Sequence, residues 1–224
     1  VLAIKKVMSS GQKPVLAILG GAKISSKIPI LKNIIKIVDD IIIGGGMSFT
    51  FSKALGGNIG KSICEDSMID VCKDILKSAE KNNVKIHLPI DAICSLDFDN
   101  NSNSKVFDIM NSDDGYQGMD AGPSTLKSFK KVILRSKTIL WNGPVGVFEF
   151  SNFSNGTKAL GKYISESTDK GAFSLVGGGD SVAAVKAFGI QNNMSYVSTG
   201  GGAMLESLEG KTLPGINALL SWNH

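Results

Sequence analysis

Two lysines follow a pair of glycines near the start of the chain, in residues 20–27 (GGAKISSK). Lys23 and Lys27 are four residues apart, so they share one face of any helix that begins there. Two positive charges at a helix N-terminus repel each other and oppose the helix dipole, and a bound phosphate would relieve both penalties. We expect a phosphate site, and removing either lysine should leave the unliganded chain as stable or slightly more stable. A pair of solvated surface lysines is the alternative.

An aspartate follows three glycines in residues 177–181 (GGGDS). At the start of a helix, Asp180 would ordinarily be an N-cap. In a phosphate site the same carboxylate could instead hold Mg²⁺, with nucleotide oxygens at the other positions of the metal. The residue types leave both interpretations open.

Three further segments combine turn residues with polar groups, namely 198–202 (STGGG), 141–149 (WNGPVGVFE) and 118–124 (GMDAGPS). The first offers backbone N–H donors ahead of a helix. In the second, a rigid Gly-Pro turn could present Asn142 and Glu149 to ligand groups such as ribose hydroxyls. The third could contact a ligand or cap the next helix. An ordinary turn is the alternative for each segment.

Short apolar strands must position these segments. Six mostly apolar runs suit strands buried on both faces of a parallel sheet, and five of them lead into glycine; they span residues 15–19, 40–43, 84–88, 138–141, 172–176 and 196–199. Apolar residues at helical spacing lie between them, at 30–38, at 68–79 with Ser67 as N-cap, at 126–132 with Ser124 as cap, and at 160–164. This alternation predicts an α/β fold, a doubly wound, Rossmann-like three-layer domain with about six parallel strands. Residues 97–114 are rich in Asn, Ser and Asp, and we expect a surface loop or hairpin there.

Ligands of an open parallel sheet bind beyond the carboxyl ends of its strands. Glycines at those ends let backbone N–H groups approach closely, and the following helices add positive N-termini, so we expect an anion site for phosphates. Two common nucleotide motifs fail: Phe49 stands where Gly-x-Gly-x-x-Gly needs its last glycine, and Leu55 where a Walker A loop needs its first. No protein-kinase catalytic loop occurs in the sequence. A Rossmann dehydrogenase and a P-loop NTPase are therefore disfavoured.

The composition is that of a globular protein, with 224 residues, 42% hydrophobic and 20% charged. The net charge is +4, without a dense basic block interleaved with aromatics, so we expect no nucleic-acid partner. No apolar run reaches the roughly 18 residues of a membrane span. Cys64, Cys72 and Cys94 lack metal-ligand spacing and indicate a reducing compartment and packing roles in helices or strands, and His87 is expected to be structural within a strand. Because Val1 comes first without an initiator methionine, we expect a chain that begins within a longer protein.

Six segments occur in the order in which phosphoglycerate kinases carry them, and in these segments the chain resembles that family: 17–23, 42–47, 141–149, 177–181, 198–202 and 208–215. The resemblance covers almost the whole chain and is to the C-terminal, nucleotide-binding lobe only. The N-terminal lobe, with its arginines and histidine for 3-phosphoglycerate, is missing. The resemblance implies a remnant of the interdomain helix at 1–14, the nucleotide-binding domain at 15–212, and a tail at 213–224 that would return toward the missing lobe.

The resemblance also implies a glycolytic reaction, in which 1,3-bisphosphoglycerate and ADP give 3-phosphoglycerate and ATP. Lys23 and Lys27 would steady the phosphates, Lys23 following the transferred group, and Asp180 would bind Mg²⁺. Backbone amides at two helix starts would stabilise charge, at Gly178, Gly179, Gly201 and Gly202. The implied catalytic set is Lys23, Lys27, Gly179 and Gly202. The implied nucleotide-binding set is Gly21, Ala22, Lys23, Lys27, Gly45, Gly46, Ile63, Gly118, Met119, Asn142, Pro144, Val145, Phe148, Glu149, Gly178, Gly179, Asp180 and Ser181.

The partners implied by the resemblance are ADP or ATP with Mg²⁺, and 3-phosphoglycerate held by the missing lobe, in a cytoplasmic monomer. Two positions depart from the family pattern: Ser26 stands where many members have Asp, and Ser181 where Thr is common. We expect this chain to bind Mg-nucleotide and to be inactive without the N-terminal lobe. A non-catalytic nucleotide-binding module and a Rossmann-type oxidoreductase are the alternatives.

Overall fold

Six short apolar segments form one parallel sheet in a computed structural model of the chain, which describes residues 2–211. In chain order, the strands of this part are β1 (Val15–Leu19), β2 (Asp40–Ile43), β3 (Asn58–Ile59), β4 (Lys85–His87), β5 (Asp91–Ser95), β6 (Ser104–Asp108), β7 (Asn111–Ser112), β8 (Gln117–Ala121), β9 (Thr138–Asn142), β10 (Phe173–Val176) and β11 (Tyr196–Val197). The helices are α1 (Leu2–Met8), α2 (Ile28–Ile34), α3 (Met47–Ala54), α4 (Ile69–Lys81), α5 (Pro123–Arg135), α6 (Asn155–Asp169), α7 (Gly179–Ala187) and α8 (Gly201–Leu208).

The parallel sheet has the strand order β11-β10-β9-β1-β2-β4, which confirms all six strands predicted from the sequence. The chain builds outward from β1 through β2 to β4, and then returns to the other side of β1 to add β9, β10 and β11. The strand order therefore reverses between β1 and β9. In doubly wound folds such a switch point opens a crevice at the carboxyl ends of the strands, where ligands bind.

Helices cover both faces of this sheet, and the alternation of side chains along a strand explains how. Leu16 and Ile18 of β1 pack in one buried cluster with Phe129 of α5 and Leu160 of α6. Ala17 and Leu19 point the other way, into the cluster built by α1–α4 and α8. Strands that are buried on both faces need apolar residues at nearly every position. The sequences of β1, β2 and β9 meet this requirement at most of their positions. The predicted doubly wound, three-layer α/β fold is confirmed.

A second sheet, which the sequence did not predict, has five strands in the order β3-β7-β6-β5-β8. β5 pairs antiparallel with β6 and with β8. The segment 97–114, expected to be a loop or hairpin, contains β6 and β7, which pair antiparallel as a hairpin and are two strands of this larger sheet. The strands of this sheet mix polar residues and glycine with few apolar side chains, and a short apolar run is the signal on which strand prediction depends. Their small core contains Phe49, Ile59 and Cys94.

Two helix caps differ from the sequence prediction. Ser67 lies inside a 3₁₀ turn, Asp66–Met68, so it is not the N-cap of α4. Ser124 lies in the first turn of α5 and does not cap it. Instead, the carboxylate of Asp91 accepts the backbone N–H groups of Ser124 at 3.0 Å and Thr125 at 2.8 Å. A side chain from β5 thus satisfies the free donors at this helix start.

The histidine and cysteines fall mostly where the sequence indicates. His87 lies in β4, with Nε2 2.7 Å from the buried carboxylate of Asp40, as a structural role requires. Cys72 and Cys94 are buried free thiols, while Cys64 is half-buried in a loop and not in a helix or strand as expected. Within residues 2–211, no helix is both long and apolar enough to cross a membrane. The predicted tail at 213–224 lies outside the described residues.

Candidate functional site

A cavity of about 460 Å³ opens at the carboxyl edge of the parallel sheet, between the turns that follow its strands and residues of the second sheet. Its wall includes the turns after β1 and β2, the end of β8, and the segment that follows β9. Aromatic side chains of Phe49, Phe98 and Phe129 contribute apolar surface, and Asp180 contributes a carboxylate. An apolar pocket with a few polar groups, placed at a switch point of an α/β sheet, is typical of a small-molecule site.

Glycines at the strand ends allow the turns to pack against one another. A Cβ added to Gly20 would lie 2.0 Å from the carbonyl oxygen of Pro144, and one added to Gly143 would lie 2.2 Å from the carbonyl oxygen of Gly20. These positions serve close packing between β1 and β9. By contrast, a Cβ added to Gly179, Gly201 or Gly202 meets no atom within 4 Å. The starts of α7 and α8 therefore have the free space that an anion would need.

Lys27 is held by a buried amide at the end of β9. Its Nζ donates to Oδ1 of Asn142, and Nδ2 of Asn142 donates to the carbonyl oxygen of Gly177 at 2.8 Å. Ser181 lies beside them and accepts the N–H of Gly143 through its hydroxyl. Asn142 is fully buried and orients Lys27, and its contact with a ligand stays a prediction.

The two lysines do not share a helical face. α2 begins at Ile28, with Lys27 as its N-cap residue and Pro29 near its start, and Lys23 lies on the preceding loop. The predicted face is therefore wrong, although both lysines stay close to the end of β1. Burial lowers the pKa of Lys27, against the negative charge of Asp180, which raises it. Lys27 and Asp180 thus lie within electrostatic reach of each other.

The loop that carries Lys23 is anchored by Glu65. Its carboxylate accepts the backbone N–H of Ser25 at 2.9 Å and the hydroxyl of Ser25 at 2.6 Å. Burial would raise the pKa of Glu65, but hydrogen bonds from Ser25 and Ile24 and the charge of Lys23 bring it below its usual value. The sequence analysis missed Glu65, because its partner lies 40 residues away along the chain.

Asp180 is the carboxylate best placed for a metal. It lies in the first turn of α7, where Gly178 is the N-cap residue and no side-chain cap bond forms, so the N-cap alternative is wrong. Among residues 2–211, no group of three or more His, Cys, Asp or Glu side chains could hold a metal by itself. Mg²⁺ commonly binds through one or two carboxylates together with substrate phosphates and water. A single exposed aspartate in a cavity wall fits Mg²⁺ that arrives with a nucleotide.

The structure brings most of the predicted site residues together. Eleven of them line the cavity: Gly21, Ala22, Gly45, Gly46, Ile63, Gly118, Met119, Pro144, Val145, Glu149 and Asp180. Lys27, Asn142, Gly178 and Ser181 form the polar cluster beside it. Lys23 is exposed on its loop, and Gly179 and Gly202 lie at helix starts. Phe148 does not line the cavity; its ring packs edge-on against Phe188, with centroids 6.5 Å apart.

Residues 1–211 match the sequence model of a family described as Phosphoglycerate kinase. The chain belongs to the phosphoglycerate kinase family. A phosphoglycerate kinase of Porphyromonas gingivalis is 53% identical over 219 residues, covering 98% of this chain and 52% of that protein. One of Thermosipho africanus is 46% identical over 217 residues, covering 96% of this chain and 54% of that protein. The chain thus spans about half the length of the curated relatives it matches.

Solved structures of phosphoglycerate kinases share this fold. That of Coxiella burnetii superposes with a TM-score of 0.92 at 42% identity, over 96% of this chain and 55% of that one. That of Pyrococcus horikoshii gives a TM-score of 0.83 at 29% identity, over 98% of this chain and 55% of that one. The six-stranded parallel sheet and its helices are therefore a phosphoglycerate kinase type of domain.

Several cavity residues escaped the sequence analysis, among them Ser48, Phe49, Asp91 and Asp120. Asp120 lies inside the segment 118–124 that was singled out, yet nothing in that segment indicates a buried carboxyl group. Its side chain is 4% exposed. Burial raises the pKa of Asp120 to about 7, against hydrogen bonds from the backbone amides of Gly156, Ala121 and Asn155, which lower it.

Proposed function

We propose that this chain is the nucleotide-binding lobe of a phosphoglycerate kinase and that it binds ADP or ATP with Mg²⁺ in the cavity at the carboxyl edge of the parallel sheet. With an acceptor lobe, it would transfer a phosphoryl group reversibly between 1,3-bisphosphoglycerate and ADP. One observation carries the proposal: the apolar cavity adjoins the polar cluster of Lys27 and the open start of α7 that bears Asp180.

The arrangement suits the two halves of a nucleotide. The flat faces of a base can pack against the apolar wall of the cavity, which includes Ile63, Gly118 and Met119. The carboxylate of Glu149, which also lines the cavity, can bind ribose hydroxyls. The polar cluster and the helix starts suit phosphates, because the ammonium group of Lys27 and the free N–H donors of the helix starts would bind negatively charged phosphate oxygens. The cavity and the cluster beside it thus offer apolar surface for a base and charged groups for phosphates.

Phosphoryl transfer needs positioning and electrostatic stabilisation more than a covalent nucleophile. Lys27, oriented by Asn142, and Lys23, on the loop anchored by Glu65, would neutralise the negative charge on the transferred group. Amides at Gly179 and Gly202 would add donors at the starts of α7 and α8. Asp180 would hold Mg²⁺, which supplies further neutralisation of phosphate oxygens when bound.

The proposal extends to the organisation of the longer protein. Residues 15–212 would be the C-terminal nucleotide-binding domain, residues 1–14 part of the interdomain helix, and residues 213–224 a tail toward an N-terminal lobe that binds 3-phosphoglycerate. The support is that the curated relatives named above are matched over about half of their length. The protein would act as a cytoplasmic monomer.

Isothermal titration of the 224-residue chain tests nucleotide binding. We expect ADP with Mg²⁺ to bind and NAD not to bind; the reverse would favour the oxidoreductase alternative and overturn the proposal. In a coupled assay with ATP and 3-phosphoglycerate, the rigorously purified chain should show negligible turnover. Normal turnover would contradict the assignment of the acceptor site to another lobe.

A chimera distinguishes an enzyme lobe from a binding module. The part of the Porphyromonas gingivalis relative that this chain does not match would be fused ahead of residues 1–224. We expect turnover from the fusion, and none from the same fusion with Lys23→Met. Nucleotide binding by the chain together with an inactive but folded fusion would favour the non-catalytic module.

A further inference from the structure

The carboxyl group of Asp120 lies in the cavity wall, next to Gly118 and Met119 at the end of β8. Its oxygens are fully engaged with backbone groups. Oδ2 accepts the N–H of Gly156 at 2.7 Å, and Oδ1 accepts the N–H of Ala121 at 2.9 Å. Gly156 is the second residue of α6, and Ser154, the N-cap residue of that helix, makes no side-chain cap bond. Asp120 therefore caps α6 from a different element of the fold.

Two glycines provide the space for this carboxyl group. A Cβ added to Gly146 would lie 1.9 Å from Oδ1 of Asp120, and one added to Gly156 would lie 2.2 Å from the same atom. Gly146 belongs to the segment 145–149 after β9, which we call the rim segment. Val145, Val147 and Glu149 of the rim segment line the cavity. Asp120 is thus in direct contact with the backbone of the rim segment.

Two hydrogen bonds also hold the rim segment to residues close to Asp120 or to the helix that Asp120 caps. The N–H of Val147 donates to the carbonyl oxygen of Met119 at 2.8 Å, one residue before Asp120. The N–H of Val145 donates to Oγ1 of Thr157, on the first turn of the helix that Asp120 caps. Pro144, by contrast, is held independently, since its carbonyl accepts the N–H of Gly21 at 2.9 Å.

We propose that Asp120 is a positioning residue of the nucleotide site: by capping α6 and packing against Gly146, its carboxyl group holds the rim segment at the distance from Gly118 and Met119 that the base and ribose require. This inference rests on the proposed function. Loss of the carboxyl group would leave the buried N–H of Gly156 without an acceptor and free the space beside Gly146, so the rim segment would shift. Lys27 and the start of α7 are held by Asn142 and Gly177 and would stay in place.

The test compares three probes on the 224-residue chain, namely adenosine, ADP and tripolyphosphate, by titration well below the melting temperature at about pH 8.5, where the carboxyl group of Asp120 is ionised. In Asp120→Asn, the side chain keeps nearly the same volume, but its NH₂ group would face a backbone N–H donor. One of the two hydrogen bonds that the carboxylate accepts is therefore lost. We expect adenosine and ADP to lose about tenfold in affinity and tripolyphosphate to lose none, because misplacement of contact groups weakens only the contacts they make.

Asp40→Asn is the matched control for a general loss of stability. Asp40 is also a buried carboxylate, but it lies at the start of β2, outside the cavity wall, and its partners are His87 and Arg135. It should lower the melting temperature similarly, without the selective loss for adenosine and ADP. Gly146→Ala retains the carboxyl group but places a methyl group 1.9 Å from Oδ1 of Asp120, so the carboxyl group or the rim segment must move. It should show the same selective loss even if Asp120→Asn fails to fold.

Each outcome decides the matter. Selective loss in Asp120→Asn or Gly146→Ala, and not in Asp40→Asn, supports the positioning role. Unchanged affinities, or equal losses in the Asp120 and Asp40 variants, overturn it while the proposed function stands. An unmodified chain that binds neither ADP nor tripolyphosphate overturns the proposed function, and the inference with it.

Discussion

Lys27 and Asn142 are 115 residues apart in the sequence, yet the ammonium group of the lysine donates to the side-chain oxygen of the amide. The amide is fully buried and is fixed in turn by the carbonyl oxygen of Gly177. A cation that rests on a neutral amide is oriented without being neutralised. Asn142 therefore orients Lys27 without supplying a negative charge to it.

This contact predicts that the two lysines differ in their importance for stability. Lys27→Met removes the donor to a buried oxygen, so the free energy of unfolding should fall by about 1–3 kcal/mol. Lys23 is exposed, and Lys23→Met should leave the stability unchanged. Chemical denaturation of both variants without ligand provides the measurement. Equal stability of the two variants would show that the contact with Asn142 contributes nothing, as the sequence alone suggested.

Both lysines should affect nucleotide binding according to the number of phosphates. In Lys23→Met or Lys27→Met, the affinity for adenosine should stay constant, and the affinities for ADP and ATP should fall increasingly, by about tenfold or more for ATP, because a charged hydrogen bond is lost. Lys32→Met, an exposed lysine on α2, is the control and should bind all three normally. Equal losses for adenosine and ATP would mean that the lysines shape the pocket and do not bind phosphate.

Asp180 should determine the magnesium dependence of binding. In Asp180→Asn, the ratio of ADP affinities with and without Mg²⁺ should approach one, because the variant lacks the anionic oxygen that Mg²⁺ prefers. The cost in stability should be small, about 0.3–1 kcal/mol from the helix dipole, since the carboxylate makes no cap bond in α7. Titration of ADP with Mg²⁺ and with EDTA measures the ratio. Persistent magnesium dependence would exclude Asp180 as the ligand.

Asp120 should make the stability depend on pH below neutrality. Burial raises its pKa to about 7 from an ordinary value of 3.8, so between these values the folded chain holds a proton that the unfolded chain has released. Stability from this group is therefore highest at the acidic end and falls as the pH rises toward 7.

The variant Asp120→Asn isolates this contribution. We subtract the unfolding free energy of Asp120→Asn from that of the unmodified chain. This difference should fall by about 1 kcal/mol for each unit by which the pH rises between about pH 5 and 6.5, since one proton is involved. Urea denaturation across this range provides the measurement, and Asp91→Asn is the control. A difference that is constant with pH would place the titration of Asp120 outside this window.

The sequence by itself determined the parallel sheet and its edge. The four central strands, β1, β2, β9 and β10, are mostly apolar runs, because burial on both faces imposes that pattern on consecutive residues. The edge strands β4 and β11 are shorter and partly exposed, but they too lie in the runs predicted from the sequence. Glycines mark the carboxyl ends for a similar reason, because the turns there approach too closely for side chains, as Gly20 and Gly143 show. Most of the residues implied by the family resemblance therefore lie around one cavity.

Only the tertiary structure decided the second sheet, the caps and the hydrogen bonds of the site. Ser67 and Ser124 have the local chemistry of caps, but Asp91, 33 residues before Ser124, caps α5 in place of the serine. The second sheet is stabilised by pairing between short strands that mix polar and apolar residues. The carboxyl group of Asp120 and the link between Lys27 and Asn142 depend on contacts between distant segments. Local residue patterns contain no record of such contacts, because they arise only when the folded chain brings the segments together.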